Sequence, residues 1–291
     1  MALGNLAQRF LVALVAAPIL LLVLYYRRAE PTWLLIFAGS LLAMREFFAM
    51  TLPKPDRVAA VVIGALACAA FYWIDPITVV TYGASTPKLV QGAIAAGSTI
   101  ALLLAVIAPG LYYLFRFGEI PTVAHRYAAT VTGIVYAGFL LTFLAMLKRV
   151  DPAVRGGDAV ILVLLVAWIS DTGAYFAGRF LGKAKLYEAV SPKKTWAGAW
   201  GGIAGSIVGV IVLKLVHAHW ITWVDVFAIA IPGGILGQLG DLAESLIKRS
   251  VGVKDSGALL PGHGGMLDRI DAVLFIAPYV YAYLMIKPAF A

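Results

Sequence analysis

Long, uninterrupted apolar runs constrain this chain more than any other feature. Stretches such as FLVALVAAPILLLVLYY and STIALLLAVIAPGLYYLF approach the roughly 20 residues that a helix needs to cross the hydrocarbon core of a bilayer. In lipid, a spanning segment must satisfy its own backbone N–H and C=O groups, which leaves helices or closed barrels. Barrel strands would alternate apolar and polar residues over about ten positions, and these runs do not alternate. With 62% hydrophobic residues and a mean hydropathy of +0.91, the chain reads as all-α: a polytopic integral membrane protein with about nine transmembrane helices. The expected spans are Phe10–Tyr26, Thr32–Met50, Val58–Ile74, Val90–Phe115 (interrupted at Pro109 and Gly110), Tyr127–Leu147, Ala159–Leu181, Ala197–His217, Trp223–Ile247 and Leu267–Ile286. The first run ends at Tyr25, Tyr26, Arg27 and Arg28 without a small-residue cleavage site, so a retained span is expected rather than a signal peptide.

An odd number of spans puts the termini on opposite sides. More Lys and Arg flank the side that carries the N-terminus and the loops after even-numbered spans. The positive-inside rule then places the N-terminus in the cytoplasm, together with the loops around 183–194 and 248–269. A net charge of +8 on such a chain offers no soluble basic face for nucleic acid. It reports topology and attraction to anionic head groups or substrates. The single cysteine, Cys68, excludes an intrachain disulfide and sits in an apolar run as a packed thiol.

Character changes near residue 157. Residues 1–156 read as N-terminal scaffold helices, and 157–291 as a catalytic half with cytoplasmic loops, the two forming one integrated membrane domain. In the second half, acids enter the spans: Asp171, then Asp241 and Glu244, then Asp268 and Asp271. Ionisable residues in spans are costly and mark functional sites by default. Glycines at four-residue spacing, Gly201–Gly205–Gly209 and Gly233–Gly237, permit close helix contact. No internal repeat is visible, which weakens an inverted-repeat transporter.

On a helix, Asp241, Glu244, Ser245 and Lys248 share one face, as do Asp268 and Asp271 on the next. Two such faces on consecutive helices can share a divalent cation. Mg²⁺ suits them, because it needs only one or two carboxylates beside phosphate oxygens and water. The plainer reading pairs these acids with Lys248, Arg249 and Arg269 at a wet helix end. Between the two faces, GALLPGHGG brings backbone N–H groups near a ligand, since glycine has no Cβ to block the approach. His263 in that run binds phosphate, acts as an acid, or simply turns the chain. A second polar loop, SPKKTWAGAWGG, offers Lys193 and Lys194 for phosphate charge, and Thr195 lies near a helix N-terminus where anions are favoured. His217 and His219, with Trp220 and Trp223, read as interfacial residues on the outer side.

The run from Ser245 to Asp271 resembles the signature of the phosphatidate cytidylyltransferase (CDP-diacylglycerol synthase) family. Its defined positions fall on Ser245, Lys248, Arg249, Lys254, Asp255, Gly257, His263, Gly264, Gly265, Asp268, Arg269 and Asp271. SPKKT at Ser191, SDT at Ser170 and Arg9 ahead of an apolar run are similar too, although the remaining N-terminal spans match only in general character. The resemblance implies transfer of CMP from CTP to phosphatidic acid, giving CDP-diacylglycerol and pyrophosphate in phospholipid biosynthesis. It also implies Mg²⁺ at Asp241 and Asp268, K⁺ as a second ion, and a homodimer in a bacterial inner (plasma) membrane. Asp271 and Asp171 are further candidate ligands. Catalytic roles would fall to Asp241, Asp268, Lys248, Arg249, Arg269 and His263, and substrate contacts to Ser191, Lys193, Lys194, Thr195, Ser245, Lys254, Gly264 and Gly265. The alternative is an ion-coupled transporter that uses intramembrane carboxylates. It predicts acids at midspan and broken helices in matched halves, whereas these acids gather beside cations and glycines.

Overall fold

The computed structural model describes residues 17–74, 97–116, 120–151, 155–257 and 264–287. Every expected span that falls there is helical. Of the first run, residues 17–26 are described and 17–24 are helical. They are followed by α1 (Glu30–Thr51), α2 (Lys54–Trp73) and α3 (Gly97–Phe115). A longer span runs through α4 (Val123–Gly133), a π-helical segment (Ile134–Phe139) and α5 (Leu140–Val150). Then come α6 (Arg155–Leu181), a β-hairpin of β1 (Lys185–Tyr187) and β2 (Ser191–Thr195), α7 (Trp196–Val216), α8 (Trp223–Ser250) and α9 (Leu267–Met285). Arg9, the start of the first and fourth spans, and His263 lie outside the described residues.

Among the described residues, seven helices are long and apolar enough to cross a membrane, the segment 120–150 counting as one. Their outward surfaces are apolar, with Leu103, Leu114, Trp200, Val212 and Phe180 about half exposed or more. That outer surface suits lipid, where water would penalise so much exposed apolar area. The helix α3 continues through Pro109 rather than stopping there, and α8 and α9 likewise carry Pro232 and Pro278 inside.

Helix α9 is not one of the seven, because Asp268, Arg269 and Asp271 crowd its start. Beyond them it is the central post of the bundle: Leu274, Ile276, Ala277, Val280 and Leu284 are fully buried, against α8, α5, α6 and α1. The two halves of the chain therefore share one core. Helices α6 and α7 make the closest pair. A Cβ added to Gly205 would run into the Ile169 carbonyl, and one on Gly201 into Ala177 and the Gly173 carbonyl. The small-residue stripe is thus what lets these backbones meet.

The far end of the bundle holds a separate polar belt. Asp158, 4% exposed at the start of α6, accepts hydrogen bonds from Tyr25 and Trp220, both at 2.8 Å, and faces His217 Nε2 at 3.2 Å. Asp225 caps α8 in a reciprocal box with Thr222 and pairs with Lys287 at 2.5 Å. These contacts tie His217 and Trp220 to Asp158 in a structural role.

Candidate active site

The hairpin at 185–195 is a local departure from helical structure, and it arises where the SPKKT loop was expected. Its strands are antiparallel, pairing Lys185 with Thr195 and Tyr187 with Ser191. The second strand ends at Thr195, whose extended backbone makes it the N-cap of α7 and whose Oγ1 accepts from the Gly198 N–H at 3.1 Å. Replacing a capping Thr by Ala typically costs about 1 kcal/mol. Thr195→Ala should therefore lower the melting midpoint measurably.

This hairpin forms one wall of a cavity of about 410 Å³, within the range of small-molecule sites. Lys193, Lys194 and Thr195 come from the hairpin, Asp171, Tyr175 and Arg179 from α6, and Gln238 and Asp241 from α8. Lys194 Nζ crosses the cavity to Asp241 Oδ2 at 2.7 Å. Ser245, one turn further along α8, donates to the other oxygen of Asp241 at 3.3 Å. Lys194 and Arg269 lie within electrostatic reach of Asp171. Tyr175, Arg179 and Gln238 escaped the sequence reading. Arg179 and Tyr175 are four residues apart on α6 and are joined by an Nη1–H···OH bond of 2.7 Å, a spacing that could have drawn attention to them.

A second cluster lies beside the cavity. Lys248 Nζ sits between Glu244 Oε2 at 2.5 Å and Asp268 Oδ1 at 2.6 Å. Asp268 also accepts from the backbone N–H groups of Ser256 at 3.1 Å and Gly265 at 2.9 Å. The Ser256 N–H is shared with the other oxygen at 3.3 Å, so three donors surround this carboxylate. Buried Glu244 is different: Oε1 meets no hydrogen-bond donor among the described residues. Asp271 lies within electrostatic range of Asp241, Glu244 and Asp171. Helices α8 and α9 come this close because position 240 is glycine; a Cβ there would lie 2.5 Å from the Asp271 carbonyl oxygen.

Other residues singled out in the sequence do not line the cavity. Arg249 is exposed and donates to the Val253 carbonyl at 2.9 Å, and Lys254 and Asp255 are exposed. Arg269 is exposed, and Gly264 adopts φ +78 ahead of α9. Ser191 sits at the start of β2 rather than in the cavity wall.

Among the described residues, no three His, Cys, Asp or Glu side chains stand close enough to ligate one metal ion by themselves. The oxygen donors still fit a hard divalent cation, which takes one or two carboxylates and completes its shell with phosphate and water. The orphaned Glu244 oxygen and the mutually repelling Asp171, Asp241 and Asp271 are the observations behind that fit.

Comparison with known proteins narrows the reading. A model of the cytidylyltransferase family matches residues 7–287, nearly the whole chain. The chain belongs to the cytidylyltransferase family. Relatives named phosphatidate cytidylyltransferase include one from Brucella suis, 44% identical over 152 residues, covering 52% of this chain and 55% of the relative. One from Bacillus subtilis is 39% identical over 150 residues with the same coverage. One from Synechocystis is 35% identical, with 60% of this chain and 67% of the relative aligned. The chain thus spans about 55% of the length of the Brucella and Bacillus relatives. The transporter alternative finds no support in these matches.

Proposed function

We propose that this membrane-embedded member of the family is a CTP:phosphatidate cytidylyltransferase, giving CDP-diacylglycerol and pyrophosphate. The observation that carries the reading is the cavity in which Lys193, Lys194, Arg179 and Asp241 meet at the polar end of an apolar bundle. A water-soluble triphosphate and a lipid phosphate can both reach such a place. In this reading a phosphate oxygen of phosphatidate attacks the α-phosphorus of CTP. A new P–O–P bond forms, the α–β bridge breaks, and pyrophosphate leaves with the bridging oxygen. The phosphomonoester is already largely ionised at neutral pH, since its second pKa is about 6. The protein therefore needs positioning and charge neutralisation more than a general base.

Lys193 and Lys194 offset phosphate charge at the hairpin, and Arg179, held by Tyr175, offers a planar fork to the same anions. Asp241 orients Lys194. The metal ligands we propose are Asp241 and Asp268, as the resemblance implies, with Asp171 and Asp271 as further carboxylates. Asp268 would hold the ion in place of one of its present donors. When bound, Mg²⁺ supplies Lewis-acid neutralisation of the phosphate oxygens, with K⁺ as the second ion of the proposal. The proposal includes a homodimer in the bacterial inner membrane with the site on the cytoplasmic face, where the basic residues concentrate.

Purified protein given phosphatidate, labelled CTP and Mg²⁺ should release pyrophosphate and form a labelled CDP-lipid in equal amounts. Absence of both products with every divalent cation tried would sink the assignment.

A further inference from the structure

Glu46 lies near the C-terminal end of α1, in the half of the chain read as scaffold, and only 8% of it is exposed. Burying a carboxylate in an apolar helix is costly unless hydrogen bonds replace its water. No ion pair joins Glu46 to a cation among the described residues. Its oxygens accept instead from the N–H of Met266 at 2.9 Å, the N–H of Leu267 at 2.9 Å and the hydroxyl of Ser256 at 3.1 Å. The two N–H groups belong to the start of α9, where the helix leaves donors unsatisfied and favours negative charge. Glycines make the fit: a Cβ on Gly265 would lie 2.5 Å from Glu46 Oε2, and one on Gly257 2.7 Å from Oε1. One carboxylate thus touches both flanks of the 258–263 segment and the first turn that carries Asp268 and Asp271.

We propose that Glu46 is a positioning residue. It clamps the two flanks of that segment to the start of α9, and so sets where Asp268 and Asp271 stand relative to Lys248 and Asp241. The catalytic part of this inference rests on the function proposed above. Glu46 itself touches neither the cavity nor its lysines.

The test uses the full chain in detergent or vesicles with Glu46→Gln, Glu46→Ala and Ser256→Ala. Gln keeps the shape but turns an NH₂ toward backbone donors that need an acceptor. Because misplacement by about 1 Å can cost around 10²-fold in rate, kcat per folded molecule should fall at least about tenfold in Glu46→Gln. KM for CTP should stay within about threefold, and Glu46→Ala should lose more. An unchanged kcat per folded molecule in Glu46→Gln, at any melting midpoint, reduces Glu46 to a structural role and overturns the proposal. Should Glu46→Gln fail to fold, Ser256→Ala decides: a fall of about threefold supports the clamp, and wild-type kcat overturns it.

Hydrogen exchange over residues 264–272, read by mass spectrometry, needs no substrate. Faster exchange there in Glu46→Gln or Ser256→Ala, with α8 unaffected, supports the clamp, and unchanged exchange removes it. A wild-type protein that forms no CDP-lipid would fail the proposed function while leaving this second readout decisive.

Discussion

In the proposed reaction of CTP with phosphatidate, Asp241→Asn is expected to lower turnover by about 10²–10³-fold, the usual loss when one preorganised electrostatic group is removed from a reacting centre. Its effect on stability should be small. The side chains of Asp241 and Lys194 are 34% and 22% exposed, so their ion pair contributes less than about 1 kcal/mol to folding. Asn keeps a carbonyl for the Ser245 hydroxyl but removes the charge that draws Lys194 across the cavity. It also removes one of the carboxylates proposed for Mg²⁺, so the Mg²⁺ concentration giving half-maximal rate should rise. Lys194→Ala should be costly alone. Combined with Asp241→Asn it should cost less than the product of the two single losses, because groups acting as a unit are not additive. The checks are steady-state kinetics over a Mg²⁺ series and a thermal melt of each variant. An Asp241→Asn protein within fivefold of wild-type turnover would remove Asp241 from the site.

Period and length made most of the architecture legible. Where they are described, apolar runs long enough to span became helices, and the i, i+3, i+4, i+7 face of Asp241, Glu244, Ser245 and Lys248 became one wall of the polar region, with Ser245 on Asp241 and Lys248 on Glu244. The spacing could not show that Lys248 would bind Asp268 as well, nor that Lys194 would reach Asp241. Those contacts join separate elements, and no periodicity links a hairpin to a helix more than forty residues later. Pro109 suggested a break, but the helix continues, since a single missing N–H is tolerated in spanning helices. SPKKT looked like a loop because a strand of five residues with two lysines has no apolar face to alternate. Glu46 was passed over because a lone acid in an apolar run carries no pattern of its own. Only the folded chain brings it to Ser256 and the start of α9.

Lys248→Met should be the most damaging substitution for folding itself. Lys248 stands between Glu244, whose side chain is 1% exposed, and Asp268, at 13%. Removing the ammonium leaves two nearby carboxylates out of water with no cation between them. Breaking a buried charge pair from one side costs about 3–5 kcal/mol, a large part of the roughly 5–15 kcal/mol that holds a typical domain together. The melting midpoint should fall well below that of wild type, and the yield of folded protein with it. Asp268 would keep its bonds from Gly265 and Ser256, so the excess charge should be felt most at Glu244, whose Oε1 has no donor among the described residues. Adding Glu244→Gln to Lys248→Met should therefore recover a good part of the lost stability, while turnover stays low. Lys248→Arg, which keeps the charge on a wider head group, should melt between the two. Equal melting of Lys248→Met and wild type would mean that the triad is solvated and that its charges contribute little to the fold. A double variant no more stable than Lys248→Met would move the strain from Glu244 to another carboxylate, Asp268 being the one that also faces Lys248.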